Sequence, residues 1–267
     1  MKKLFVIFFV ISQILFGWGD KGHMLITEYA VRSLPSNMDF FYKYIGYIIA
    51  HSTDPDYRKN KVKDEAIRHF IDIDFYPNFK TDVNIKNYDY LVKKYTLDTV
   101  KKMGILPWAT LETYNKLVQA LKNNDTLEAL IMISDLCHYV ADGHQPQHVT
   151  LNYNGQLTGQ KGVHSRYEIT MFDKYELFWR NNLKTNSPKK ITNNKLDFIF
   201  DYLFCSNEKL PIIMNADKEI LGTNKNYSEQ DYSELYKRTK DVTLDLLQKS
   251  IDNLSSLLYT AWIEAKQ

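Results

Sequence analysis

Cysteine, glycine and proline are all scarce: two, ten and seven among 267 residues. Two cysteines cannot build a disulfide framework, so the fold must stand on its core or on bound metal. So few glycines and prolines exclude a collagen-like or low-complexity chain. With 14% aromatic and 44% hydrophobic residues, the sequence is also too apolar for a disordered one. Net charge is nearly absent, 34 Lys+Arg against 32 Asp+Glu, which argues against capture of nucleic acid or membrane by bulk electrostatics. The apolar run Leu4–Phe16, behind Lys2 and Lys3 and ahead of Gly17, is too short for a comfortable membrane span. It has the length of a secretory leader. Residues 1–17 are therefore read as a signal peptide and 18–267 as one mature domain, which is then formally neutral. An exported protein, periplasmic or secreted, is expected. An uncleaved anchor is the alternative; Gly17 suits a leader's last position, although Leu15 is larger than the residue usual two places before it. In such a compartment Cys137 and Cys205 could pair, or remain two buried thiols.

Most of the remaining sequence has helical periodicity. Helices are expected over His23–Leu34, Asn37–Ala50, Asp89–Met103, Trp108–Leu121, Thr126–Ala141, His164–Asn182, Lys195–Cys205 and Glu229–Ala265. Thr126–Ala141 is the most apolar of them, and Asp142-Gly143 with Pro146 ends it. Alternating patterns are few and short, and no linker divides the chain. The expectation is an all-α, single-domain, multi-helix fold.

Histidines carry the chemistry. In HYVADGHQPQH, His138 and Asp142 lie four apart on a predicted helix, so both leave one face. His148 follows the Pro146 turn, and His164 and Glu168 in GVHSRYE repeat the four-residue spacing. Asp54 in STDPDY, His69 in RHFIDID and His23 add a carboxylate and two imidazoles. One such pair alone is more often a surface hydrogen bond. Two pairs linked by a further histidine suit divalent zinc, which accepts nitrogen and oxygen ligands. His51 and His144 stay outside this set.

Trp18 with His23, Asp54, HFID from His69, HYVADGHQPQH and HSRYE from His164 occur in an order that resembles one superfamily. It joins the zinc-dependent phospholipases C of bacteria with single-strand nucleases of the mung bean nuclease type, and the likeness spans the mature chain. The resemblance implies an all-helical phospholipase C/nuclease-like fold with three zinc ions in a cleft. It implies one zinc on Asp54, His69, His138 and Asp142, and a neighbour on His148, His164 and Glu168. A third would take the α-amino nitrogen and carbonyl oxygen of Trp18 with His23 and Asp142. Asp142 then bridges two metals, and Asp54 and Asp142 serve catalysis beside a metal-bridging water.

The resemblance leaves the phosphodiester open. The Trp18–His23 gap and the Asp54–His69 spacing look like the nuclease branch. The compact His148–His164 gap and the Glu at 168 look like the phospholipase branch. Asp72 is a candidate partner for a base edge or a group orienting His69. Tyr76, Phe79, Trp108 and Tyr153 could stack bases, cover acyl chains or form core. The sequence reading favours a nuclease acting on single-stranded DNA and RNA to give 5′-phosphorylated products. Its alternatives are a zinc-dependent phospholipase C and a non-catalytic, zinc-stabilised binding domain.

Overall fold

A computed structural model describes residues 18–222 and 226–267; the expected leader lies outside the described residues. Its secondary structure is helical throughout, with no strand among the described residues. Five long helices carry the architecture: α1 (Gly19–Arg32), α2 (Leu106–Lys122), α3 (Thr126–Gly143), α4 (Lys195–Leu221) and α5 (Glu229–Ala265). None of the helices described is long and apolar enough to cross a membrane.

Local chemistry sets where these helices start. The Asp125 carboxylate accepts from the Glu128 amide at the head of α3. Asn194 accepts from the Leu196 and Asp197 amides at α4, and Ser228 with Asp231 forms a capping box at α5. The central position falls to α3, whose residues are buried continuously from Ile133 to Gly143. A helix buried on all sides needs neighbours on all sides. It packs on α1, α2 and α5. One core joins Leu25, Leu136, Val140 and Trp179 to α5 residues such as Leu254. A second gathers Ile71, Ile73, Tyr139 and Phe200 beneath the Ile71–Met103 region.

Two glycines permit close approaches that place the site. A Cβ on Gly143 would lie 2.6 Å from the Tyr202 ring, so α4 can cross tightly over the end of α3. Gly104 sits at φ +84°, and a Cβ there would come within 2.1 Å of the Phe70 carbonyl. That turn lets the Leu106 amide reach the Phe70 oxygen at 3.1 Å and holds the segment bearing His69 against α2.

Several expected helices are divided. Thr96, at φ +73°, splits Tyr88–Tyr95 from Leu97–Lys102, and Tyr44 separates Asp39–Lys43 from Ile45–His51. In the other direction, α4 runs past the expected stop at Cys205 to Leu221, with Pro211 inside it. The cysteines are free thiols; Cys137 is buried and Cys205 exposed, so the two-buried-thiols alternative holds for the first alone.

Candidate metal centre

Four elements converge at the C-terminal half of α3. His23 comes from α1, Asp56 from the short helix Asp54–Arg58, His69 from the turn Ala66–His69, and His138 and Asp142 from α3 itself. His23, Asp142 and His138 are wholly buried, and His69 nearly so. The Asp142 carboxylate stands in the middle. Its Oδ2 lies 3.0 Å from His69 Nδ1 and 3.3 Å from His138 Nε2, while its Oδ1 lies 3.4 Å from His23 Nε2. His23 stacks on His138 with centroids 3.9 Å apart. The donor atoms of His23, His138 and Asp142 lie within 4.8 Å of one another, as do those of Asp56, His69 and His138.

A third group sits beside these. A π-helical turn, Arg166–Met171, follows His164, and a local π-turn of this kind often marks a functional position. His164 Nε2 is 2.8 Å from Glu168 Oε1, and His148 Nε2 is 3.7 Å from Glu168 Oε2. Gln145 donates to the same Glu168 carboxylate through Nε2. The turn is clamped to α4 by Arg166, whose Nε and Nη2 meet the two oxygens of the buried Asp217 at 2.7 and 2.8 Å.

Backbone carbonyls set the histidine tautomers. His138 Nδ1 donates to Ser52 O at 2.8 Å, His148 Nδ1 to His69 O at 2.7 Å and His164 Nδ1 to Tyr153 O at 3.2 Å. In each ring this turns the Nε2 lone pair towards the cluster, the arrangement that metal-binding histidines use. His69 has the opposite orientation: Nδ1 faces the cluster, and Nε2 lies 3.5 Å from Glu65 Oε1. Glu65 in turn accepts from Tyr139, and Arg58 reaches it at 3.3 Å while holding Asp135 with both amino groups.

The donor set fits zinc on this geometry. Asp56 Oδ2, Asp142 Oδ1 and the Nε2 atoms of His23 and His148 are buried without a hydrogen-bond partner. So many unsatisfied polar atoms in one place would be costly unless a cation binds them. The electrostatics agree. Burial opposes a charge on His138, yet the Asp142 and Asp56 carboxylates outweigh it and push the imidazole up to about 10. Burial likewise favours the neutral Asp142 acid, but His138 and His148 outweigh it and hold the carboxyl well below its ordinary range. The pocket attracts positive charge, and its nitrogen and oxygen donors suit zinc.

Of the residues singled out in the sequence, the structure brings together His23, His69, His138, Asp142, His148, His164 and Glu168. Asp54 is displaced: its side chain is 47% exposed and accepts from His51 Nδ1 at 2.7 Å. The carboxylate in the cluster is that of Asp56 instead, with its side chain wholly buried. Positions two apart at a helix start point to nearly opposite sides, and nothing local in TDPDY tells which faces inward. Trp18 is fully buried beside the cluster, at φ +22°, with its indole donating to Ala141 O at 3.0 Å. Its carbonyl accepts from the Gly22 amide at 3.1 Å. His144 points away: Nδ1 bonds Val140 O, Nε2 lies 2.9 Å from Asn253, and the ring stacks on Tyr202.

A cavity of about 480 Å³ opens onto this centre, lined by His69, His148 and His164 on one side. Much of its remaining wall is apolar, including Phe70, Met103, Leu151, Tyr153 and Leu157. Asp72 also lines it, with a carboxyl raised to about 8 by burial and then by Asp74. Sequence reasoning missed Lys59 and Gln147 in this wall. Lys59 Nζ is 2.5 Å from Asp56 Oδ1, and Gln147 has a buried amide nitrogen without a partner. Their only advance signal was position, Lys59 three residues after Asp56 and Gln147 just before His148.

The sequence profile of a family described as zinc dependent phospholipase C matches residues 22–207. No curated protein matches the chain.

Proposed function

Because this chain belongs to the zinc-dependent phospholipase C family, and is with it a zinc-dependent hydrolase of phosphoric ester bonds, we propose that its substrate is a phospholipid. Hydrolysis between glycerol and phosphate would release diacylglycerol and the phosphorylated headgroup. The observation that carries this reading is the apolar cavity beside the metal-capable side chains. Leu151 and Leu157 in its wall suit the glycerol end of a lipid better than a base. Of the four aromatics considered for base stacking, Tyr76 is core, Phe79 and Trp108 pack against that core, and Tyr153 lines the cavity. The preference for a nuclease drawn from spacing gives way to the phospholipase alternative on these grounds.

Three zinc ions are part of the proposal. Asp56, His69, His138 and Asp142 would hold one, and His148, His164 and Glu168 the second. His23, Asp142 and the backbone of Trp18 would hold the third. Bound zinc supplies Lewis acidity, lowering the pKa of water and offsetting phosphoryl charge. The protein does the rest. The carbonyl-bound histidines keep their donor nitrogens in place without reorganisation. Asp56 Oδ1 is held by Lys59, which leaves the buried Oδ2 to take the proton lost by the attacking water. Lys59 lines the cavity, where its ammonium holds Asp56 Oδ1 at 2.5 Å. As the water oxygen joins phosphorus, the bond to the glycerol oxygen breaks, and that oxygen takes a proton from solvent. Removal of residues 1–17 as a leader, with export, would give Trp18 the free amine a metal needs.

The test is product analysis with the zinc-loaded protein and a short-chain phosphatidylcholine below its micelle concentration. Phosphocholine and diacylglycerol are expected. Phosphatidic acid, a fatty acid, or no product at all would overturn the reading.

A further inference from the structure

Two segments that reach the cavity wall carry exposed residues, each with an aliphatic side chain and a lysine close in sequence. One is Arg58–Asp64, of sequence RKNKVKD, in which Asn60 reaches the cavity and Val62 is 48% exposed between exposed Lys61 and Lys63. The other is the loop 151–161, in which Leu157 is 65% exposed and Lys161 is exposed. Exposed Lys102 joins the first segment at the cavity wall. The inward-facing cations there are already engaged, Arg58 with Asp135 and Lys59 with Asp56. Of the nearby acids, Asp64 pairs with Lys101, Glu65 is buried against Arg58, and Asp74 accepts from Thr150 Oγ1 and the Leu151 amide. The outward character of this rim is therefore basic, although the chain as a whole is close to neutral.

We propose that this rim is an interfacial binding surface that seats the cavity mouth on an anionic lipid bilayer. Val62 and Leu157 would enter the headgroup region while Lys61, Lys63, Lys102 and Lys161 meet lipid phosphates. Exposed aliphatics beside lysines are the chemistry of a peripheral membrane contact. A single-stranded nucleic acid would instead be met by several exposed aromatic platforms; here the tips are aliphatic, and the one exposed aromatic beside them, Tyr57, donates to Asp20 at 2.9 Å. The proposal rests on the phospholipid reading, since a lipid must leave the bilayer to reach a cavity of this kind. It explains how a neutral protein could still favour anionic membranes: the charge is local.

The test is co-sedimentation of the zinc-loaded protein with vesicles of phosphatidylcholine, with and without added phosphatidylglycerol. Anionic vesicles should bind more tightly, and high salt should remove the difference. Neutralising a surface lysine should weaken binding about fivefold, so Lys61→Gln with Lys63→Gln should cost on the order of 25-fold. Val62→Asp should weaken binding to both kinds of vesicle. All three substitutions are on exposed positions outside the metal centre and should leave hydrolysis of monomeric phosphatidylcholine unchanged. Equal affinity for both vesicles, with no response to these variants, would overturn the surface. So would salt-sensitive binding to a single-stranded oligonucleotide and not to vesicles. If monomeric lipid is not hydrolysed but vesicle binding still follows lysine charge, the surface stands and the substrate reading falls.

Discussion

Asp142→Asn is the most informative single substitution, because this one side chain faces donors from every part of the centre. Its two oxygens divide the work: Oδ2 towards His69 and His138, Oδ1 towards His23. Asparagine keeps the shape but turns one oxygen into an amide nitrogen, which cannot donate a lone pair to a metal. Whichever way the amide is turned, one group loses a donor. Both groups lose the negative charge that offsets repulsion between neighbouring cations. Changes around a ligand shell cost 10- to 100-fold in affinity or activity, and under the proposed three-zinc arrangement Asp142 would serve two sites. Turnover should therefore fall about 100-fold or more, close to 3 kcal/mol in barrier. Zinc content should fall from about three ions to roughly one. The assay is metal analysis by mass spectrometry beside the rate on monomeric phosphatidylcholine. His144→Ala is the control: its ring is buried against Tyr202 and Asn253, outside the cluster. It should cost about 2–4 kcal/mol of stability and keep its zinc. If His144→Ala loses metal while Asp142→Asn retains it, the placement of the whole centre is wrong.

Asp56→Asn should strip zinc and activity while Asp54→Asn, at the half-exposed position, changes either by less than twofold, or about 0.4 kcal/mol; the reverse pattern would restore the assignment read from the sequence. Adding a few residues ahead of Trp18 should lower zinc content and turnover without unfolding the protein, and equal zinc and rates in both forms would remove Trp18 from the ligand set. Burial lowers the His144 pKa from 6.5 to about 4, so the unfolded chain takes up this proton first as pH falls. The stability it contributes is complete above pH 6.5 and is lost towards pH 4, at most about 3 kcal/mol. His144→Phe should flatten the stability profile across that window by a similar amount in urea titrations, and an unchanged profile would refute it.

The fold class was legible because helical periodicity is a local property: α3 announces itself by its apolar run and its Asp142-Gly143 stop. Breaks depending on one residue's backbone, such as Thr96 at positive φ, were not. The run of α4 through Pro211 was not either, since a proline inside a helix reads as a stop. At the centre, His138 with Asp142 and His164 with Glu168 were legible because a spacing of four fixes a shared face. Asp56 was not, because Asp54 and Asp56 differ by which side of a five-residue helix meets α3. Glu65, Tyr139 and Arg166 escaped notice for a related reason. They support the ligands through contacts between segments distant in sequence, and no local pattern records such contacts.

The central claim is that zinc held by these side chains hydrolyses a phospholipid, and one parallel rate measurement tests it most directly. A single preparation is assayed on monomeric phosphatidylcholine and on single-stranded DNA, zinc-loaded, chelator-stripped and zinc-restored. The account predicts phosphocholine release that vanishes on stripping and returns with zinc, with little release of nucleotides. Zinc-dependent release of nucleotides without phosphocholine would contradict the substrate, and undiminished activity in stripped protein would contradict the chemistry.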